Sequence, residues 1–339
     1  MTLINSSLYK ESITSIASEI SVDGGRILIT GGSGLIGRCV VDVLRQANQS
    51  FGKHFTIFAM GRNAEKLSEA FGDNDDVLCL VQDICNPIAV EQLDYIIHTA
   101  SNADPVSYAK YPVETIMTNV LGSKNVLEYC KYNKTRALFT SSFEVYGKLE
   151  QDEYGENDYG IIDLNILRNC YSESKRMSEM LFKSYYDEYV TNCVIVRLPS
   201  VYGPTMQMND SKAHAQFFRN ALEGQNIVLK SKGTQKRSYC YVIDAVSGIL
   251  RVLINGKSGE VYNIANENST ATIAEVAHVI ANISQRKVIY DLPTEIESKG
   301  FSKPQNCVLK NERIKKLGWQ GKYDLTKGIE ETINILKGN

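Results

Sequence analysis

A glycine-rich segment near the N-terminus constrains the fold of this chain more than any other feature. It follows a short apolar run and precedes residues 35–47, whose apolar positions recur with helical spacing. Gly31 permits a tight turn, Gly34 lets the backbone approach a pyrophosphate, and Gly37 lets the helix pack closely on the strand. The free amides and the dipole at the start of that helix attract phosphate. The pattern predicts a dinucleotide site, and a glycine turn without a ligand is the alternative. The residues predicted to form the site are Gly31, Ser33, Gly34, Leu35, Ile36 and Gly37.

Short apolar runs alternate with helical patterns over the first 200 residues. The predicted strands cover residues 26–30, 55–60, 77–81, 94–98, 136–141 and 193–197. Runs without polar alternation are typical of strands buried on both faces, as in a parallel sheet covered by helices. The predicted fold class is therefore α/β, a Rossmann-type doubly wound parallel sheet with a smaller C-terminal α/β part.

The pattern changes after about residue 200, where shorter elements are separated by polar and glycine-containing segments. We predict an N-terminal helical extension at 1–24, an NAD(P)-binding domain at 25–200 and a mainly substrate-binding part at 201–339. In the extension, apolar residues form one helical stripe, which predicts packing on the domain or on a partner subunit. The residues of this stripe are Ile13, Ile16, Ala17 and Ile20.

Composition argues against several other classes of protein. The formal net charge of -2 gives no reason to expect nucleic acid or an acidic membrane as a partner. The eight cysteines lack C-x-x-C spacing and only four histidines are present, so no metal site is expected. Unpaired cysteines are typical of a reducing compartment, and residues 1–21 lack the apolar block of a signal peptide. We expect a cytoplasmic protein without a membrane span.

The end of the second predicted strand bears on the choice of cofactor. An acidic residue there accepts hydrogen bonds from the ribose hydroxyls of NAD, whereas an arginine suits the 2′-phosphate of NADP. Here the strand runs into Gly61 and Arg62, and Arg62 offers a planar cation. The prediction is an NAD(P) site with NADP favoured. The alternative is a solvated Arg62 beside NAD.

The third predicted strand runs into Asp83 and Ile84. The carboxylate of Asp83 can accept from the adenine amino group while Ile84 packs on the ring. The alternative is that Asp83 is the N-cap of a helix.

A tyrosine and a lysine four residues apart form the candidate reaction centre. Tyr171 and Lys175 fall on one face of a predicted helix. An ammonium beside a phenol is expected to lower the pKa of the phenol from about 10. Tyr171 could then exchange a proton with a substrate alcohol or carbonyl as hydride moves. With 19 tyrosines in the chain, a solvated helix face is the alternative.

The fifth predicted strand ends in polar residues at the edge where ligands bind in this fold. Ser142 could hydrogen-bond the reacting oxygen, and Glu144 could act as a base or a positioning group. The alternative is that these residues cap the next turn.

Together these motifs resemble the extended short-chain dehydrogenases/reductases, and within them the nucleotide-sugar epimerase, dehydratase and decarboxylase group. The resemblance covers about residues 25 to 335. Besides the glycine turn and the Tyr171/Lys175 pair, it rests on Asp83, His98-Thr99-Ala100-Ser101, Ser141-Ser142, Val201-Tyr202-Gly203-Pro204, Arg237-Ser238-Tyr239-Cys240-Tyr241-Val242, Asp244 and Leu317-Gly318-Trp319.

The resemblance implies roles for individual residues. Tyr171, helped by Ser142 and Lys175, would remove a proton from a sugar hydroxyl while C4 gives hydride to the nicotinamide. Arg237 would bind the diphosphate of a nucleotide sugar, which suits a bidentate guanidinium. A homodimer is implied through two helices, one of which carries Tyr171. Further cofactor contacts are implied at Thr99, Ala100, Ser101, Asn119, Thr140 and Pro199, and substrate contacts at Ser142, Phe143, Ser200 and Arg237.

Departures of this chain from the sequence pattern of the group narrow the choice of reaction. Sugar 4,6-dehydratases carry an acid where this chain has Phe143, which has no proton to donate. Uronate decarboxylases carry an arginine before a Lys-Pro pair, where this chain has Ser302. C4 epimerisation or 4-keto reduction needs neither group, so one of these is the predicted reaction.

Other functions stay open at this point. A 4,6-dehydratase or a uronate decarboxylase with an altered active site is the first alternative. A reductase of a non-sugar carbonyl would need an apolar pocket, which the polar segment around Arg237 does not favour. A catalytically silent dinucleotide-binding protein could keep the same fold.

Overall fold

The structure is a computed structural model that describes residues 3–72, 76–292 and 305–338. Its helices are α1 (Ser7–Ala17), α2 (Leu35–Phe51), α3 (Ala64–Phe71), α4 (Pro105–Lys110), α5 (Pro112–Asn133), α6 (Cys170–Tyr189), α7 (Ala213–Leu222), α8 (Val242–Asn255), α9 (Ile273–Ser284), α10 (Glu312–Lys315) and α11 (Leu325–Lys337). Its strands are β1 (Gly24–Thr30), β2 (His54–Gly61), β3 (Val77–Val81), β4 (Tyr95–His98), β5 (Arg136–Ser142), β6 (Glu153–Tyr154), β7 (Cys193–Leu198), β8 (Ser200–Tyr202), β9 (Ile227–Leu229), β10 (Lys236–Tyr241), β11 (Val261–Asn263), β12 (Thr270–Thr272), β13 (Val288–Tyr290) and β14 (Val308–Leu309).

Seven parallel strands form the central sheet in the order β11-β7-β5-β4-β1-β2-β3. The chain adds strands outwards from β1 to β3 and then returns to β4 on the other side of β1. This reversal of direction creates a crevice at the carboxyl ends of β1 and β4, where ligands bind in such sheets. The Rossmann-type fold predicted from the apolar runs is confirmed.

Both faces of the sheet are buried, which explains the continuous apolar runs. Ile27 and Ile29 belong to a core shared with α1, α2 and α8, whereas Leu28 between them belongs to a second core. The second core contains Val126 of α5 and Phe182 of α6. Helices therefore cover the sheet on both sides, since successive side chains of a strand point to opposite faces.

The predicted N-terminal helix packs on the domain itself. Helix α1 lies against α2, α8 and α11, and Ile13 and Ile16 of its apolar stripe are buried. The Tyr9 hydroxyl donates to Asp42 Oδ2 of α2 at 2.9 Å, and Ser12 Oγ donates to Glu331 Oε2 of α11 at 3.2 Å. These two hydrogen bonds join the N-terminal extension to α2 and to α11, the last helix of the chain.

The segment from residue 200 onward builds two small sheets, pairs β14 with β6 of the first part in a third, and also contributes β11 to the central sheet. Thr205 Oγ1 donates to the Leu35 carbonyl at 2.7 Å, which attaches this part to the first turn of α2. The division at residues 24 and 200 stays a prediction. Within the described ranges, we find no helix long and apolar enough to span a bilayer.

Candidate active site

A cleft of about 720 Å³ opens at the carboxyl ends of the central strands. Most of the predicted site residues line it, although they are scattered over more than 200 positions of the chain. These lining residues are Gly31, Ser33, Gly34, Leu35, Ile36, Arg62, Ile84, Thr99, Ala100, Ser101, Thr140, Ser142, Phe143, Glu144, Tyr171, Lys175, Pro199, Ser200 and Arg237.

The glycine turn has the geometry that a pyrophosphate needs. Gly31 has φ of 70°, a conformation that favours glycine, and Gly34 caps α2 without a side chain. A Cβ on Gly37 would lie 2.3 Å from the Gly31 carbonyl oxygen, so a larger residue would push α2 off the turn. The free amides of α2 therefore face the cleft at close range, and these residues fit a dinucleotide pyrophosphate.

Three predicted cofactor residues are absent from the cleft lining. Gly37 acts through packing, as described above. Asp83 Oδ1 accepts from the Cys85 amide at 2.8 Å within a turn, and no helix of the described residues begins there, so the helix N-cap expected as the alternative is not formed either. Asn119 is fully buried, accepting from Ser101 Oγ at 2.8 Å and donating to Ser174 Oγ at 2.8 Å. Asn119 thus positions a cleft residue and fixes α5 against α6.

Arg62 lines the cleft, but its guanidinium is already paired. Nη1 lies 2.6 Å from Glu114 Oε1, and Nη2 lies 3.4 Å from Asn102 Oδ1. The arginine predicted to bind a 2′-phosphate is therefore held by a carboxylate from α5. The preference for NADP stays a prediction.

Tyr171 lines the cleft from the first turn of α6. It is hydrogen-bonded to Ser142 and stacks on Tyr108, with the ring centroids 5.1 Å apart. Burial raises the pKa of the Tyr171 phenol, and the nearby charge of Glu144 raises it further. The direction is opposite to the expected lowering by Lys175, because burial removes the phenol from water and the charge of Glu144 acts in the same direction. Tyr171 therefore holds its proton at neutral pH.

Lys175 is buried one turn along the same helix. Its Nζ donates to the Thr140 carbonyl at 2.9 Å and lies 5.9 Å from the Tyr171 ring centroid. Burial lowers the pKa of Lys175 to about 7, against the charge of Glu179, which raises it. Lys175 can therefore change its charge near neutral pH.

Glu144 is held by two neighbours rather than free. Oε2 accepts from Ser172 Oγ at 3.0 Å, and Oε1 lies 3.5 Å from Arg168 Nη2. Arg168 also donates to the Tyr108 hydroxyl at 2.8 Å. Sequence reasoning missed Tyr108 and Arg168, both of which line the cleft. A signal was available, since Arg168 lies three residues before Tyr171, and Asp104 before Pro105 is typical of a helix start.

Arg237 lines the cleft from β10. Its guanidinium carbon is 5.7 Å from the Phe143 ring centroid, and Nη2 donates to Gln235 Oε1 at 2.9 Å. Its buried Nε has no hydrogen-bond partner among the residues that the structure describes. A buried donor of this kind suits an anionic ligand. Ser302, which bears on decarboxylation, lies outside the described residues.

The parallel sheet, the glycine turn and the tyrosine–lysine helix define a dinucleotide-dependent dehydrogenase/reductase of the extended short-chain type. Comparison with known families agrees, since the NAD-dependent epimerase/dehydratase family matches residues 27–265. The chain belongs to this family, within the nucleotide-sugar epimerase, dehydratase and decarboxylase group, and is an NAD-dependent enzyme.

Individual relatives cover nearly the whole chain. UDP-glucuronic acid decarboxylase 6 of Arabidopsis thaliana is 32% identical over 92% of this chain and 90% of its own length. The structure of UDP-glucose 4-epimerase from Thermotoga maritima with UDP-glucose has a TM-score of 0.78 at 23% identity, covering 92% of this chain and 99% of that one. UDP-glucuronic acid 4-epimerase from Bacillus cereus, with UDP-glucuronic acid and NAD, has a TM-score of 0.77 at 22% identity, covering 92% and 99%. The two structures show the shared fold.

Proposed function

We propose that this enzyme transfers hydride at C4 of a nucleoside-diphosphate sugar, with 4-epimerisation or 4-keto reduction as the net reaction. The observation that carries this proposal is the contact between Tyr171 and Ser142 in a cleft that also contains the glycine turn and Arg237. A proton-transfer group, an anion-binding arginine and a dinucleotide site then border one space.

Tyr171 is the proton-transfer group in this proposal. Because its pKa is raised, the phenol is protonated at neutral pH and can give its proton to a 4-keto oxygen. Ser142 can hydrogen-bond the same oxygen, since its side chain already contacts the phenol.

Bound NAD(P) would accept or supply the hydride in the same cleft, held by the amides of the glycine turn. Lys175 would hold the nicotinamide ribose and supply positive charge close to Tyr171. A pKa of about 7 means that this charge is gained or lost near physiological pH. In the oxidative direction, protonated Lys175 would assist Tyr171 in accepting a proton from the sugar hydroxyl.

Phe143 and Glu144 support chemistry confined to C4. Phe143 carries no acid to protonate a leaving hydroxyl, as dehydration would require. Both carboxylate oxygens of Glu144 are engaged, by Ser172 and by Arg168. Neither residue is placed as a free acid or base for a second step.

Decarboxylation of a nucleotide uronate is the second candidate function. It is favoured by the 32% identity to a UDP-glucuronic acid decarboxylase over 92% of the chain. It would begin with the same oxidation at C4, and Tyr171 would have the same role. The two candidates therefore differ in the product and share the first step.

Product analysis separates the candidates. Purified enzyme is incubated with UDP-glucose, UDP-galactose and UDP-glucuronic acid, with and without NAD, and in a separate series with a 4-keto nucleotide sugar and NADH or NADPH. Chromatography that separates C4 epimers, coupled to mass spectrometry, follows the products. Epimerisation leaves the mass unchanged, 4-keto reduction adds two hydrogens and consumes reduced cofactor, and decarboxylation removes carbon dioxide. Loss of carbon dioxide from the uronate would support decarboxylation in place of C4 epimerisation. The absence of product from every sugar would contradict both candidates.

We also propose that α5 and α6 pair with a second copy of the chain. Their outer faces leave large apolar side chains in water, including Val113 at 66%, Met117 at 46% and Met180 at 59% exposure. Sedimentation velocity should give twice the monomer mass, and Met180→Glu should reduce that mass to the monomer value. A wild-type monomer at micromolar concentration would reject the pairing.

A further inference from the structure

An ion pair lies at the point where this fold selects between NAD and NADP. Arg62 follows β2, whose end recognises the 2′ position of the adenosine ribose in Rossmann-type sheets. Its Nη1 lies 2.6 Å from Glu114 Oε1 in the first turn of α5. Asn102 completes a triangle, because its Nδ2 donates to the same Glu114 oxygen at 3.3 Å. Two other segments of the chain therefore contact the guanidinium of Arg62.

The surroundings of Arg62 contain the parts of a phosphate site. Gly61 leaves the end of β2 without a carboxylate, and Asn63 and Lys66 line the cleft beside Arg62. Lys66 Nζ is held by Gln207 Oε1 at 3.0 Å. In this protein, the carboxylate placed to disfavour a 2′-phosphate is therefore Glu114, which comes from α5 and not from the end of β2.

We propose that Glu114 sets the choice between NAD and NADP by holding Arg62 and so withholding its guanidinium from a ribose 2′-phosphate. The inference concerns the cofactor and does not depend on which sugar the enzyme converts.

Competition for one donor group is the physical basis. A 2′-phosphate would need the same Nη1 that Glu114 occupies, whereas a 2′-hydroxyl makes no demand for that charge. The Arg62 and Glu114 side chains are 49% and 45% exposed, so solvent screens their pairing and the arginine can be released. Glu114 therefore weakens NADP binding without abolishing it.

Binding constants for NADH and NADPH test this directly, measured by fluorescence titration of the full chain. Glu114→Gln should tighten NADPH binding by about five-fold and leave NADH within about two-fold, since an exposed pair has a modest effect. In the double variant with Arg62→Ala, the gain should disappear, because Glu114 acts through Arg62. The matched control is Glu267→Gln, which removes a carboxylate paired with Lys315 outside the cleft and should change neither constant.

Two results would overturn the proposal. One is an unchanged ratio of NADPH to NADH affinity in Glu114→Gln. The other is a gain that persists in the double variant, which would mean that Glu114 repels the phosphate without Arg62. Both measurements are made without a sugar, so an inactive enzyme in the product analysis leaves this test intact.

Discussion

Replacing Tyr171 with Phe is expected to reduce kcat by about 10³-fold, which corresponds to an increase of about 4 kcal/mol in the activation free energy. The substitution removes the hydroxyl that contacts Ser142 and keeps the ring that stacks on Tyr108. Because the ring stays in place, the cleft keeps its shape and the dinucleotide should bind within about two-fold of the wild-type affinity. The loss therefore falls on proton transfer rather than on binding.

The measurement is steady-state turnover on whichever nucleotide sugar the product analysis identifies, together with the binding constant for NADH. Tyr185→Phe is the matched control, since Tyr185 lies on the same helix and its hydroxyl bonds Glu128 away from the cleft. That control should keep its turnover. Wild-type kcat in the Tyr171 variant would remove this tyrosine from the reaction.

Replacing Glu179 with Leu is expected to destabilise the protein by about 3–5 kcal/mol, because it leaves Arg197 buried without its counter-charge. Arg197 Nη2 lies 2.7 Å from Glu179 Oε2, and the two side chains are only 9% and 7% exposed. A second oxygen of Glu179 lies 3.0 Å from Arg197 Nε, so the pair is bidentate. Lys175 also loses the charge that raises its pKa, and should lose its proton at lower pH.

Urea unfolding gives the free energy of unfolding for this comparison. The double variant Glu179→Leu with Arg197→Met should recover most of the loss, because the unpaired guanidinium of Arg197 is then removed as well. Glu153→Leu is the control, since Glu153 and Lys310 form an exposed pair 3.9 Å apart and should change the free energy by less than about 1 kcal/mol. A loss below about 1 kcal/mol in Glu179→Leu would show that the pair is not a determinant of stability.

The fold could be predicted because its signals are local. Apolar runs such as residues 26–30 and the glycine turn beside them depend on a few adjacent side chains. Alternation of strands and helices then restricts the sheet to a parallel, doubly wound form. The observed strand order follows that rule, with β11 added at the edge from the C-terminal part.

The ion pairs and protonation states of the site could not be predicted in the same way. The pairing of Arg62 with Glu114 joins residues 52 positions apart, and that of Arg168 with Glu144 joins residues 24 apart. The pKa of Tyr171 depends on how deeply the phenol is buried, which no spacing of residues reveals. Residue types therefore predicted the participants, whereas packing determined their protonation and their partners.

The N-terminal helix α1 restrains the elements that border the cleft. Tyr9 hydrogen-bonds α2, the helix whose first turn faces the predicted pyrophosphate site. Ser12 hydrogen-bonds α11, the last helix of the chain. Separating α1 from α2 and α11 would break both hydrogen bonds and expose Ile13 and Ile16 to water, at about 1.5–3 kcal/mol for each isoleucine. Packing of α1 therefore opposes movement of α2 relative to α11, and so restrains the helix whose first turn borders the glycine turn.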